Sequence, residues 1–426
     1  MSEHFRLRDL FPNAIFSKIN TADFFVGSCH DTRHLLNKEI FVCLKGTNNH
    51  GIDYAQEAMH KGAIGILIDY EHEYLFDGPK IIVEDVQSAL RHAVQKIRQN
   101  YHHKIIAVTG SAGKTSTKEY YRQICPDKNA CISYGNWNNL LGLMINLSRL
   151  SNFSPYNFFE LGISQMGEMD VLVDLLQPDI VFITSIGAAH LEGLHSCEVI
   201  ANEKMKIGKY ALEKYCSEQA SQWLTKDWKV ISCSDIKKNF DIEKNQFETF
   251  FKFNALEYHV SSNGFLHENL LCFSIFILSF LDLKISNNFR IQVYPGRGNF
   301  IRKKNLIIVN DTYNCNALSL ISLAENISIV ENSVLVIGDL AELGSNEEQH
   351  IIQLKNKLSA FKNVRCFYFG KMKDFWIDEN IIELQSIKQI NHFLIEFKSK
   401  LIAFKASRSS AIEKLMEEFI NQYELL

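Results

Sequence analysis

Ile105-Ile-Ala-Val-Thr-Gly110-Ser-Ala-Gly113-Lys114-Thr115-Ser-Thr117 reads as a buried strand that runs straight into a small-residue loop and out into a helix. Glycines let such a backbone wrap closely round an anion, and the free N–H groups of the new helix point at it. Lys114 supplies the positive charge expected against β- and γ-phosphates, and the Thr115 hydroxyl is the expected magnesium ligand. The general pattern GxxxxGK[ST] asks for glycine where this chain carries Val108, so the loop is the shorter GxxGKT form. A chance Gly-Lys-Thr turn is the bland alternative, and the flanking strand and helix weigh against it. The stretch predicts a nucleotide-triphosphate site and leaves the reaction open.

On either side of the loop, short β-rich runs alternate with helical patterns. Ile40–Leu44, Ile64–Ile68 and Lys80–Val83 read as strands, with a helix over Tyr54–Lys61. Lys104–Thr109, Phe158–Leu161 and Ile180–Ser185 are apolar runs suited to the interior of a parallel sheet. Leu306–Val309, Val334–Ile337, Val364–Phe369 and Leu401–Phe404 repeat the pattern. The expectation is an α/β protein with open, mostly parallel sheets that bind ligands at the carboxyl ends of their strands. The turn-rich Pro295–Asn299 and the polar stretch Arg98–Lys104 read as joints, which places domains at residues 1–100, 101–294 and 295–426.

The 426 residues are too many for one ordinary domain, and 46% hydrophobic with 22% charged residues is a globular composition. Lys+Arg 45 against Asp+Glu 49 leaves a net charge of −4, which suggests neither a nucleic-acid coat nor a membrane-surface binder. The ten cysteines contain no CxxC pair, so zinc ribbons and thioredoxin-type redox pairs are not expected. Leu270–Leu281, the longest largely apolar run, falls short of the ~20 residues that span a bilayer and reads as a buried helix. Met1–Phe11 lacks the apolar stretch of a signal peptide, so a cytoplasmic protein is expected.

Glu160 follows Phe158–Phe159, and His190 lies just beyond the run ending at Ser185. In a doubly wound sheet both project from strand ends near the phosphate loop. A carboxylate and a neutral imidazole there can hold magnesium or manganese with nucleotide phosphates. Singly, each has an ordinary explanation as a helix cap or a structural histidine. Lys204, flanked by Glu203 and Lys206, reads on its own as part of a solvated helix face.

A longer ordered series then comes into view. It comprises Asp31-Thr-Arg33, Phe41-Val-Cys-Leu-Lys45-Gly46, Gly62-Ala63, the phosphate loop with Lys118-Glu119, and Gly135-Asn-Trp-Asn-Asn139-Leu-Leu-Gly142. Glu160-Leu-Gly162, Gly167-Glu168 and Ile186-Gly-Ala-Ala-His190-Leu-Glu-Gly193 follow. Gly296-Arg297, Asp311-Thr-Tyr-Asn-Cys-Asn316, Gly338-Asp-Leu-Ala-Glu-Leu-Gly344 and Lys405-Ala-Ser-Arg408 complete it. In this series the chain resembles the Mur ligases over essentially its full length, and the Asp311–Asn316 and Gly338–Gly344 elements favour the member that adds D-alanyl-D-alanine.

The resemblance implies three domains: one for the UDP-sugar, a central P-loop ATPase-like sheet, and a Rossmann-like C-terminal domain. It implies ATP-dependent amide synthesis in peptidoglycan precursor assembly, joining D-alanyl-D-alanine to UDP-N-acetylmuramoyl-tripeptide through an acyl phosphate. It further implies a monomer that binds neither nucleic acid nor membrane. Lys114, His190 and Lys204 are the implied catalytic residues. Thr115, Glu160, His190 and a carbamylated Lys204 would hold two Mg2+ ions. Gly110, Ser111, Ala112, Gly113, Lys114, Thr115 and Ser116, with Arg297, Asp311, Tyr313 and Asn316, would bind ATP. Thr32, Arg33, Lys45, Asn138 and Asn139 would bind the UDP-precursor. Relatives carry adenine-reading asparagines where this chain has Glu268 and Leu271, with Asn269 between them as a substitute in shifted register. A sister ligase with another acceptor, or an impaired paralogue that only binds UDP-precursors, are the alternatives.

Overall fold

The computed structural model describes residues 5–46, 49–150, 154–188, 191–241, 244, 246–281, 285–340, 347–410 and 412–424. His190 and positions 341–344 of the Gly338–Gly344 motif therefore lie outside the described residues. The α/β architecture expected from the sequence is present, and the strands fall on the apolar runs to within two residues.

The first sheet contains β1 (Ile15–Ser17), β2 (Ser28–Cys29), β3 (Ile40–Val42), β4 (Gly65–Asp69) and β5 (Lys80–Val83), in the order β1-β5-β4-β3-β2. All pairs but β1–β5 are parallel. The next sheet is wholly parallel. It consists of β6 (Ile106–Thr109), β7 (Phe158–Glu160), β8 (Ile180–Ile183), β9 (Glu213–Cys216) and β10 (Lys229–Val230), in the order β10-β9-β8-β6-β7. β6, β7 and β8 are buried at every residue, which is why they read as unbroken apolar runs. From β6 the chain moves to β7 on one side and then to β8 on the other. The crevice above β6 is thus the switch point at which such sheets bind ligands.

These two sheets share one apolar core. Leu90 and Val94 of helix Val86–Gln99 belong to the same cluster as Leu143 and Leu147 of helix Leu140–Ser148. The stretch read as a joint at Arg98–Lys104 begins inside helix Val86–Gln99. Arg98 donates from Nε to Leu176 O (2.6 Å) and from Nη2 to Gln177 O (2.7 Å), so its start is pinned.

A smaller sheet follows that the apolar runs do not foretell: β11 (Ser234–Asp241), β12 (Gln246–Phe253), β13 (Leu256–Ser262) and β14 (Asn288–Ile291). Its first three strands are antiparallel, and β12 buries Phe247, Thr249, Phe251 and Phe253 in strict alternation. Helix Glu268–Phe280 lies on the central sheet, with Phe273 stacked on Phe182 at 4.0 Å between ring centroids.

The last sheet holds β15 (Asn299–Lys303), β16 (Leu306–Asp311), β17 (Ser333–Ile337), β18 (Val364–Tyr368), β19 (Ile381–Glu383) and β20 (Leu401–Lys405). Its order is β15-β16-β20-β17-β18-β19, parallel except at β15–β16. Asp311 and Lys405 are paired neighbours at its carboxyl edge, and that edge faces the crevice above β6.

Candidate active site

The loop Gly110–Gly113 keeps its shape through glycine conformations and a wall of hydroxyls. Gly110 (φ +153°) leaves no room for a Cβ beside the Thr184 side chain, and Gly113 (φ +88°) is left-handed at the start of helix Lys114–Ile124. Ser111 N–H donates to Ser185 O (2.8 Å), and Ala112 N–H donates to Ser185 Oγ (2.8 Å). The Ser111 hydroxyl donates to Gly187 O (2.9 Å). The turn after β8 thus braces the loop after β6. Lys114 folds back to donate to Gly110 O at 2.6 Å.

Glu160, the last residue of β7, is buried against this loop. Its Oε1 accepts from Thr115 Oγ1 (3.1 Å) and from Asn138 Nδ2 (2.8 Å). Its Oε2 accepts no hydrogen bond and lies 3.2 Å from Lys118 Nζ. Burial alone would raise its pKa, but the charges of Lys118 and Lys114, the Asn138 amide and Arg297 hold it below the usual carboxylate value. A buried, ionised carboxylate next to a threonine hydroxyl, with one oxygen short of a donor, is a donor set that suits a hard divalent cation.

Lys204 is buried at the end of helix Cys197–Met205, and not solvated as its neighbours suggested. Burial, and then the charge of Lys114, push its ammonium well below the normal lysine range. The outer face of the same turn goes to Lys206, which pairs with Asp170 (2.8 Å) and Glu203 (2.5 Å).

The third sheet closes the cavity. Arg297 lies over the Tyr313 ring at 4.1 Å, and Lys405 pairs with Asp311 at 2.8 Å while donating to Asn314 O at 2.9 Å. Burial raises the Asp311 carboxyl against the opposing pull of Lys405. Asn316 Nδ2 donates to Ser111 O at 2.9 Å, a direct bond from this sheet to the phosphate loop. The cleft has a volume of about 550 Å³ and is lined by Ser111–Ser116, Asn138, Asn139, Glu160, Arg297, Asp311, Tyr313 and Asn316. Such a volume suits a nucleotide-sized ligand. Asn139 also caps helix Leu140–Ser148 through Gly142 N–H (2.9 Å).

His267, Glu268 and Asn269 line the same cavity, whereas Leu271 is fully buried in the core. Burial pushes the His267 imidazole down from 6.5 to about 4, so this ring is neutral. Glu268 is committed to Lys238 (3.0 Å), and Asn269 Oδ1 accepts from Cys233 N–H (3.1 Å).

Thr32, Arg33 and Lys45 stand apart, on the carboxyl side of the first sheet. The buried Thr32 donates from its hydroxyl to Glu57 Oε1 (2.8 Å). The exposed Arg33 holds the Asp31 carboxyl down to about 2 through a 2.6 Å ion pair. Lys45 is exposed and bridged to His50. Nearby, His50, Asp69 and His72 cluster with their donor atoms within 4.8 Å. His72 Nδ1 already bonds Asp69 Oδ1 (2.7 Å) and His50 Nδ1 accepts from Ile52 N–H (3.1 Å), so the trio reads as a turn clasp.

Lys118 escaped the sequence reading, where it stands only inside a motif, although its spacing from Lys114 puts both on one helix face. Lys405 reads from the sequence as a strand end with a role near the dipeptide or phosphate, and its ion pair with Asp311 shows only in the fold.

The chain is similar to known proteins in sequence and in fold. Residues 108–269 match the Mur ligase middle domain. The chain is 30% identical over 433 residues to the UDP-N-acetylmuramoyl-tripeptide–D-alanyl-D-alanine ligase of Buchnera aphidicola subsp. Baizongia pistaciae, covering 92% of each chain. It superposes on a crystal structure of MurF from Acinetobacter baumannii with a TM-score of 0.78, at 23% identity over 99% of each chain. MurF from Thermotoga maritima in complex with ADP gives a TM-score of 0.71 at 22% identity, covering 93% of this chain and 98% of that one.

Proposed function

The chain belongs to the Mur ligase family, and from that membership we infer that it joins D-alanyl-D-alanine to UDP-N-acetylmuramoyl-tripeptide at the expense of ATP, in peptidoglycan precursor synthesis. The observation that carries the reading is the Thr115–Glu160–Asn138 constellation at the switch point, facing Arg297, Asp311 and Asn316 across one cavity.

Phosphoryl transfer from ATP to a carboxylate brings two anions together, so it needs positive charge and in-line alignment more than covalent help. Lys114 and the backbone N–H groups of residues 110–115 would hold the β- and γ-phosphates. Thr115 and Glu160 would hold Mg2+, which supplies further charge neutralisation when bound. By resemblance His190 would be a further ligand. Asn138, fixed on Glu160, and Asn139 would position the tripeptide carboxylate. Once the acyl phosphate forms, the dipeptide amine attacks its carbonyl carbon, and phosphate leaves from the tetrahedral intermediate. Arg297, Asp311, Tyr313 and Asn316 would hold the nucleotide from the far side, and Thr32, Arg33 and Lys45 would bind the UDP-sugar.

Lys204 is the proposed carbamylated lysine. Burial favours its neutral amine, the form that adds carbon dioxide and releases a proton to become an anionic oxygen ligand. The cavity is complete within one chain, which fits a monomer. A cytoplasmic location fits the substrates, and no helix among the described residues is long and apolar enough to cross a membrane.

Phosphate release by the purified protein tests the assignment. It should require both UDP-N-acetylmuramoyl-tripeptide and D-alanyl-D-alanine. Release with a different acceptor would make the chain a sister ligase, and no release with any would make it a binding paralogue.

A further inference from the structure

Lys118 has no part in the chemistry above, yet it is fully buried one turn beyond Lys114. Lysines are rarely enclosed without a fixed anion. Its Nζ donates to the Gly135 carbonyl and sits between two carboxylates, 3.2 Å from Glu160 Oε2 and 3.3 Å from Glu119 Oε1. Glu119 is shared with Arg122, whose Nε lies 3.1 Å from Glu119 Oε2 and whose Nη2 donates to Ser133 O at 2.6 Å. Ser133 Oγ in turn accepts from Glu160 N–H at 3.0 Å. The network therefore ties helix Lys114–Ile124 to the end of β7.

The division of labour on Glu160 is the informative feature. Oε1 faces Thr115 and Asn138, the proposed metal side, while Oε2 has no hydrogen-bond donor and lies 3.2 Å from the Lys118 ammonium. A buried carboxylate is fixed in place by a cation held beside it. We propose that Lys118 is a positioning residue, a resident counter-ion that grips Glu160 Oε2 and so keeps Oε1 aimed at Thr115 before metal and nucleotide arrive. The inference rests on reading Glu160 as a metal ligand. It has a consequence of definite sign. An ammonium and a divalent ion on one carboxylate repel each other, so each weakens the other's hold by the same factor. Lys118 therefore weakens metal binding while fixing the geometry that makes the bound metal useful.

The experiment is Mn2+ binding in the presence of ADP, followed by electron paramagnetic resonance, together with thermal unfolding. Lys118→Met should unfold at lower temperature than wild type without ligands, bind Mn2+ several-fold more tightly, and gain more thermal stability from Mn2+ and ADP. Lys118→Gln keeps a donor for the Gly135 carbonyl and should show the same tightening if the methionine variant does not fold. Unchanged or weaker Mn2+ affinity in a folded variant overturns the inference. Glu160→Gln separates the two readings. If it binds Mn2+ as wild type does, Glu160 is not the ligand. If it loses Mn2+ while the Lys118 variants are unchanged, only the counter-ion role fails.

Discussion

Lys204 shows what a single position can hide. Its sequence neighbours are charged, and by composition alone it belongs to a solvated face. In the fold the helix turns that residue inward, and Lys206, two positions on, takes the solvent and the salt bridges. Only the three-dimensional surroundings depress its ammonium, so the signal is absent from local sequence. Lys204→Ala should remove the proposed metal-holding group and cut turnover by about 100-fold or more, with added bicarbonate unable to restore it. Full activity of that variant in the phosphate-release assay rejects the carbamate proposal. Thr115 and Glu160, in contrast, were legible as a pair. Each ends or follows an apolar run, and a doubly wound sheet forces such ends together, here to 3.1 Å. The Asp311–Lys405 pair obeys the same rule but needed the strand order, with β20 inserted beside β16, before the two could be seen as neighbours.

Among the elements, the phosphate loop was the most readable because glycine spacing and strand burial say the same thing. Its tolerance is correspondingly small. A Cβ on Gly110 would fall within 1.9 Å of Thr184 Oγ1 and 3.0 Å of Ser185 N, at a backbone angle that L-residues rarely adopt. The Thr184 hydroxyl cannot simply swing away, because its one proton is held between the Ala112 carbonyl and Thr109 O, 3.2 Å off. Gly110→Ala is expected to cost about 1–3 kcal/mol of stability and to weaken ADP binding disproportionately, measured by thermal unfolding and nucleotide titration. Equal loss in both would mean that the loop's shape is not what holds the phosphates. The β11–β14 sheet was the least readable element. Its alternation at Phe247, Thr249, Phe251 and Phe253 is genuine, but the outward positions carry Glu248, Phe250 and Lys252 in one mixed series. Half-exposed antiparallel strands give a weaker pattern than the double-sided burial of β6 or β8.

At the scale of the whole molecule, the three mostly parallel sheets are not joined equally. The first two share a core and are further locked by Arg149, which holds Glu39 from Nε (2.6 Å) and Nη2 (3.0 Å). The third meets them across the polar cavity, through Asn316 on Ser111 and the close approach of Leu318 to Gly187. The small sheet spans the junction. Phe251 and Phe253 pack with the central core, while Phe247 and Phe265 join Phe300 of the third unit. Beside that aromatic cluster runs Pro295–Gly298, with Gly296 at φ +76° and Gly298 at φ +91°, the backbone best able to absorb a rotation. Because the proposed substrate-holding residues come from both sides of the cavity, ligands should favour the closed arrangement, and the free protein should spend time open. Small-angle scattering should therefore show compaction on adding a non-hydrolysable ATP analogue with the UDP-substrate. Asn316→Asp is the sharper probe. It keeps the cap oxygen that accepts from Ser319 N–H (3.0 Å) but removes the donor to Ser111 O and sets a carboxylate against that carbonyl. The variant should keep its unfolding temperature, scatter as a more open particle without ligands, and need more ATP analogue to compact. Identical scattering of wild type with and without ligands would mean that the third unit does not move.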